Sequence, residues 1–377
     1  LARVLPSLAE RGIDVRLAAR HVVEPRAFGI RAATIAWAKD DAPSDARAAR
    51  IVAETIADWR PDAVMTSNVH DAAVLQAART ARRLIVRVHD HRLFCPQGNR
   101  QYPHFPTLCT KPMSAGTCVA NALLRGCGPG LSARTVRLVR ARETLRKIVV
   151  QADHVVVSSR FMAGLCGING VAAERIRTLP PPFSGEPVTV AAPRPERDRI
   201  LFAGRLVRDK GLASLIRAIA RIAPERRPQL AAAGAATEES SDVPALAARL
   251  GVELTMLGKL ASSELNAAID ASTLVAVPSL WPEPFGLMGI EAQARGRPVV
   301  AYDVGGISEW MGDAGILVPR EDEPALAAAM ETVSDSARWP AYSAAALRQA
   351  RAYAARDHVD ALIRLFTTPA RAKGAIS

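Results

Sequence analysis

The chain has 377 residues, 49% hydrophobic, 23% charged and 5% aromatic, with a formal net charge of +12; that is enough apolar material for two domains, each with its own core. No apolar run reaches the roughly 18 residues a membrane-spanning helix needs, and no charged stretch followed by an apolar one opens the chain. The expectation is therefore a cytoplasmic protein without a signal peptide, and five cysteines, an odd number, argue against a disulfide framework.

The opening segment, LARVLPSLAERG, reads as a helix. Short β-branched runs predict strands at 14–18, 63–66, 84–88 and 154–158, with a helix over 47–59. The strand at 84–88 leads directly into Val88-His89-Asp90-His91. A histidine at a strand end is commonly structural, but the adjoining carboxylate favours a functional reading of His89 and, more weakly, of His91.

The next stretch is unusual in two ways. Cys95, Cys109, Cys118 and Cys127 fall within a glycine- and proline-rich segment of about 91–130, with Cys166 apart. Four thiols can close a tetrahedral zinc site, although no C-x-x-C pair is present, so structural zinc, redox pairing and unrelated thiols all stay open. Between His91 and Arg142 there is also no acidic residue, and residues 1–182 hold 27 Lys and Arg against 14 Asp and Glu. Such asymmetry points to an anionic partner. No nucleic-acid motif interleaves these cations, which leaves an anionic membrane surface or a solvated arginine-rich face. A helix over 132–149 would carry Arg134, Arg137 and Lys147 beside Val136, Leu138 and Leu145, a basic flank next to an apolar one.

A proline-rich linker at 183–197 precedes a second set of strands, expected from 200, then at 229–233, 253–257, 274–277, 298–302 and 316–318. After the first of these comes the loop GRLVRDKG, with Arg205 and Lys210; after the fourth comes PSLWPEPFGLMGIEA, with Glu283 in a loop and Glu291 in a helix over 286–294. In open α/β sheets ligands bind beyond the carboxyl ends of the strands, and a helix start attracts phosphate. Two cations, two carboxylates and the helix start at Gly286, Leu287 and Met288 are thus expected in one place.

Together the GRL…KG loop, the E-x7-E pair within EPFGLMGIEA and the following VGGISE turn resemble the family-4 glycosyltransferases. The resemblance implies an α/β, GT-B architecture of two Rossmann-like domains facing a central crevice, and retaining transfer of a sugar from a nucleotide-sugar donor, UDP- or GDP-linked, without a catalytic metal. It implies an N-terminal acceptor-side domain at 1–182, a donor domain at 198–345, and a 346–377 segment whose last helix returns to the first domain. The opening residues resemble the first helix of such enzymes rather than their opening strand and glycine-rich loop.

By the same resemblance Arg205 and Lys210 stabilise the leaving diphosphate, Glu291 accepts from the ribose hydroxyls, and Glu283 and His89 face the transferred sugar. Gly258, Phe285, Gly286, Leu287 and Met288 would complete the donor site; the Cys segment, because it directly follows His89, is expected beside the acceptor side of the crevice. The acceptor would be a glycan or a lipid-linked glycan at the inner face of the membrane. Two other readings stand beside this one: another GT-B enzyme such as a nucleotide-sugar epimerase, and a non-catalytic partner subunit that binds sugar nucleotides.

Overall fold

The computed structural model describes residues 4–19, 31–34, 45–102, 107–127, 132–183, 187–353 and 355–367. The chain divides into two compact units, Leu1–Pro180 with Ala355–Ser377, and Pro181–Ala354.

The first unit holds strands β1 (Arg16–Ala19) and β2 (Arg31–Thr34), paired in parallel, and a separate parallel sheet. That sheet contains β3 (Val64–Ser67), β4 (Leu84–Val88), β5 (His154–Val157) and β6 (Ile176–Thr178), in chain order. Successive side chains of a strand point to opposite faces, so each central strand feeds two apolar layers. On one face Val86, Val88, Val155 and Val157 join Leu75 and Leu145; on the other Ile85 and Val156 join Val4, Leu8, Val359, Leu362 and Leu365. Helices therefore cover both faces, as a buried parallel sheet requires.

The helix Ala133–Val150 turns Thr135, Val139, Arg142, Leu145, Ile148 and Val149 inward. Leu145 is thus core rather than part of an outward apolar flank, while Arg134, Arg137, Arg140 and Lys147 remain exposed.

The chain's last described helix, Ala355–Thr367, belongs to the first unit. Arg83 fastens its end by donating from Nη1 to the carbonyls of Leu365 at 3.1 Å and Phe366 at 3.0 Å, groups that a helix terminus leaves without intrahelical partners. The preceding helix, Trp339–Ala350, lies in the second unit, so the return begins near 355 rather than at 346.

The second unit is one parallel sheet of β7 (Arg199–Ala203), β8 (Gln229–Ala233), β9 (Leu254–Gly258), β10 (Leu274–Val277), β11 (Val299–Tyr302) and β12 (Gly315–Val318). Its spatial order is β12-β11-β10-β7-β8-β9. The chain builds outward from β7 in one direction, then returns to β7's other side with β10. The strand order thus reverses between β7 and β10, which is where a doubly wound sheet opens a crevice for ligand. β10 and β11 are buried along their whole length, which explains their continuous apolar sequences.

Candidate functional site

Two loops meet at the β7–β10 switch point of the second unit. The loop after β7 ends at Gly211, whose φ of +78° lies in the left-handed region; a Cβ there would come within 1.8 Å of the Pro278 carbonyl oxygen. Glycine is required because the backbone after β10 passes directly over it. The Leu280 N–H donates to the Asp209 carbonyl at 2.8 Å, so the two loops are joined through their backbones, and the Arg320 side chain braces the second loop by donating to the Leu280 carbonyl at 2.9 Å.

This docking places Lys210 against Glu283. The Lys210 ammonium lies 2.5 Å from Glu283 Oε1, and the Ser279 hydroxyl donates to the same oxygen at 2.5 Å. The Glu283 side chain is 6% exposed and that of Lys210 19%. Lys210 Nζ also stands 5.1 Å from the centroid of the Trp281 ring, within cation–π range. The Glu283 backbone is held as firmly: the Gly306 N–H donates to its carbonyl at 2.8 Å, and a Cβ on Gly305 would approach that oxygen to 2.2 Å. Ser279 and Trp281 were not singled out from sequence; the Ser-x-Trp-x-Glu spacing, which puts a hydroxyl and an aromatic face just ahead of the carboxylate, is the signal that carries them.

Gly286 caps the helix Leu287–Ala294 at φ +89°, and Trp310 fixes the entry by donating from Nε1 to the Phe285 carbonyl. A Cβ on Gly289 would strike the Trp310 ring at 1.9 Å, so the helix rests directly on that indole. Leu287 is exposed, Met288 and Glu291 are half-buried, and the first N–H groups of the helix have no intrahelical acceptor. Phe285 itself is buried, its ring 5.6 Å from that of Tyr353, so the side chain serves the core.

Arg205 shares the β7 loop with Lys210 but is exposed, and its side chain makes no hydrogen bond or ion pair among the described residues. Gly258 ends β9, exposed at φ +67°, with its carbonyl accepting from the Gly234 N–H at 2.7 Å. The structure thus brings Lys210 and Glu283 into direct contact, and places Arg205, Gly258 and the helix start at strand ends of the same sheet.

His89 belongs to the first unit. It is exposed at the end of β4, with Nε2 2.6 Å from the Ser67 hydroxyl. Its imidazole is lowered to about 4, first by desolvation of the ring among neighbouring atoms and then by the Arg87 charge, against an opposing pull from Asp90. It is therefore neutral at neutral pH. Burial alone would raise Asp90, but hydrogen bonds from His70 and Arg92 outweigh it and hold the carboxyl well below its usual range. Asp90 accepts from the Arg92 side chain at 2.8 Å and its backbone N–H at 2.8 Å, so it also caps the turn His91–Leu93. His91 is fully buried, edge-on to Phe161 at 6.1 Å, a core position.

Cys95, Cys109, Cys118 and Cys127 all line one cavity of about 30 Å³ in the first unit, while Cys166 is buried among the sheet's apolar residues. Among the described residues no three His, Cys, Asp or Glu side chains are grouped to hold a metal ion as they stand. All five cysteines are free thiols.

Two family models match the chain: "Glycosyl transferase 4-like domain" over residues 1–182 and "Glycosyl transferases group 1" over 197–336. The chain belongs to the family-4 glycosyltransferases. Among curated members, the D-inositol 3-phosphate glycosyltransferase of Stackebrandtia nassauensis is 32% identical over 241 residues, 58% of this chain and 54% of that protein. The alpha-maltose-1-phosphate synthase of Mycobacterium tuberculosis (strain H37Rv) is 32% identical over 151 residues, 38% of either chain. The match therefore spans about half the length of such relatives or less. Solved structures share the fold over almost the whole chain. Sucrose-phosphate synthase from Thermosynechococcus elongatus superposes with a TM-score of 0.71 at 19% identity, covering 97% of this chain and 91% of that one. Anabaena HepE, solved with UDP and glucose, gives 0.69 at 19% identity, covering 98% and 96%. The two parallel-sheet α/β units are thus those of a GT-B glycosyltransferase fold.

Proposed function

We propose that the chain is a retaining glycosyltransferase that takes a sugar from a nucleotide-sugar donor, of UDP type, and passes it to a phosphorylated or lipid-linked sugar acceptor. The observation that carries this reading is the Lys210–Glu283 pair at the β7–β10 switch point, beside the start of the helix Leu287–Ala294. The UDP form follows HepE, and the acceptor class follows the inositol-phosphate and maltose-phosphate names of the curated relatives.

When the glycosidic bond breaks, negative charge grows on the departing diphosphate oxygen. Groups already aimed at that oxygen stabilise the transition state more than the bound donor, and so accelerate the reaction. Lys210, the exposed Arg205 side chain and the helix N–H groups supply that stabilisation from one side. Glu283, held by Ser279 and by the Gly305–Gly306 turn, presents a carboxylate oxygen to the hydroxyls of the transferred sugar. Glu291 accepts from the ribose, and the backbone at Gly258 meets the base. In the same-face mechanism that the family resemblance implies, the leaving phosphate oxygen takes the acceptor's hydroxyl proton, and no protein nucleophile is needed. The exposed Arg134, Arg137, Arg140 and Lys147, with Leu123 and Leu124 at 59% and 79% exposure, suit a basic face that meets an anionic membrane carrying the acceptor. Co-sedimentation with anionic against zwitterionic vesicles tests that face, and equal recovery would remove it. No described helix is long and apolar enough to cross a membrane.

The decisive assay follows release of UDP from UDP-sugars in the presence of simple phosphorylated and lipid-linked acceptors. UDP release coupled to a glycosylated acceptor of unchanged anomeric configuration is expected. Conversion of the donor to another nucleotide sugar would point instead to an epimerase, and binding without turnover across donors to a partner subunit.

A further inference from the structure

The segment after β4 does work that the switch point does not need. Cys95 follows the turn His91–Leu93, Cys109 lies in the loop beyond Gln101, Cys118 sits on the helix Ala115–Leu124, and Cys127 follows that helix. Three separate stretches of backbone therefore bring four thiols to the wall of one cavity of about 30 Å³, large enough to admit a water or an ion.

Their surroundings are equally specific. Arg100 lines the same cavity, is 5% exposed, and donates to the Lys111 carbonyl at 3.1 Å, yet no carboxylate pairs with it among the described residues. None is near in sequence either, since 91–142 contains no acidic residue. A buried guanidinium without a counter-charge is costly.

We propose that Cys95, Cys109, Cys118 and Cys127 form a tetrathiolate site for one soft divalent cation of the zinc class, which fastens this segment onto the first unit. Four S–H protons leave to water as four S–metal bonds form, and the resulting cluster carries two negative charges. Arg100 then has the counter-charge that the acid-free segment otherwise withholds. No three of the thiols are grouped as ligands as they stand; rotation about χ1 is the movement by which a cysteine re-aims its sulfur, and metal binding at this cavity requires it. The absence of C-x-x-C pairs reflects ligands drawn from four positions of a folded loop-and-helix segment rather than from two tight knuckles.

Elemental analysis of the purified full chain tests this site without reference to turnover. About one zinc per chain is expected, released by a mercurial thiol reagent, and less than about a tenth of that in Cys118→Ser with Cys127→Ser; Cys166→Ala should keep the metal. Should the double variant fail to fold, cobalt titration of metal-stripped wild type substitutes for it: intense sulfur-to-cobalt absorption with tetrahedral visible bands supports the site. Metal-free protein that shows no such absorption, an intact mass lacking two hydrogens per disulfide, or zinc retained by the folded double variant would each overturn the proposal. None of these outcomes bears on the donor site of the second unit.

Discussion

Lys210 and His358 are both basic side chains tucked against their own unit's sheet, yet they are held by opposite means. Lys210 faces a carboxylate, Glu283, at 2.5 Å, with a hydroxyl donating to the same oxygen. His358 faces a guanidinium: Arg87 lies 3.5 Å from Nε2, while Nδ1 donates to the Pro180 carbonyl at 2.8 Å. Burial first, then Arg87, lowers His358 to about 4, so the helix Ala355–Thr367 is fastened by a neutral ring. The second unit concentrates opposite charges where a charged ligand can redistribute them. The first unit removes charge where a terminal helix has only to stay in place. The two basic groups thus differ in what they face more than in how deeply they are buried.

Breaking the charged side of this contrast should have the largest effect. Glu283→Ala removes the carboxylate and leaves Lys210 without its partner; turnover with a UDP-sugar is expected to fall about 100- to 1,000-fold, the scale of losing one pre-aimed polar group in an active site. Near-wild-type kcat in the folded variant would detach Glu283 from the chemistry.

Breaking the neutral side should show in acid. Because the folded value of His358 lies below the ordinary imidazole value near 6.5, its contribution is fully present above that pH and is lost as pH falls toward 4. Protonation costs up to about 3 kcal/mol, with a slope near 1.4 kcal/mol per pH unit in that window. Chemical denaturation of His358→Gln against wild type isolates this share, and identical pH slopes would contradict it.

The backbone supports of Glu283 should be nearly as sensitive. Gly305→Ala places a methyl 2.2 Å from the Glu283 carbonyl oxygen at a φ of +65°, and a loss of about 2 kcal/mol or more is expected in urea unfolding. An unchanged midpoint would mean the turn relaxes freely.

The smallest effect sharpens the comparison. Arg197 and Glu253 also pair at 2.7 Å, but with side chains 63% and 54% exposed. Arg197→Ala should alter stability by less than about 1 kcal/mol and leave turnover untouched. A large loss would show that pairing distance, rather than position at the switch point, sets the cost.

Much of this arrangement was legible in sequence, and the exceptions have physical reasons. The strands at 84–88, 229–233 and 274–277 appear at the expected positions because short, largely apolar runs mark buried parallel strands. Ile176–Thr178 escaped notice because it is a three-residue edge strand with two exposed positions, and Arg31–Thr34 because Arg-Ala-Ala-Thr carries little strand signal. At the site, the E-x7-E spacing and the Lys210 loop gave the ingredients. Their direct contact did not follow, since it joins residues 73 apart through the close approach at Gly211. Phe285 illustrates the reverse: a motif position whose side chain belongs to the core while its carbonyl orients Trp310. The cysteines showed their number and spacing in sequence, but their shared cavity depends on the fold of the whole segment.

The central claim is that the β7–β10 switch point receives the diphosphate of the donor through Lys210. Calorimetric titration of UDP into the full wild-type chain and into Lys210→Ala tests it most directly. The account predicts saturable binding to wild type and an affinity about 10- to 150-fold weaker in the folded variant, the value of a charge-assisted contact of roughly 1.5–3 kcal/mol. Equal affinity in the two proteins, or no binding of UDP, GDP or ADP to wild type at millimolar concentration, would contradict it.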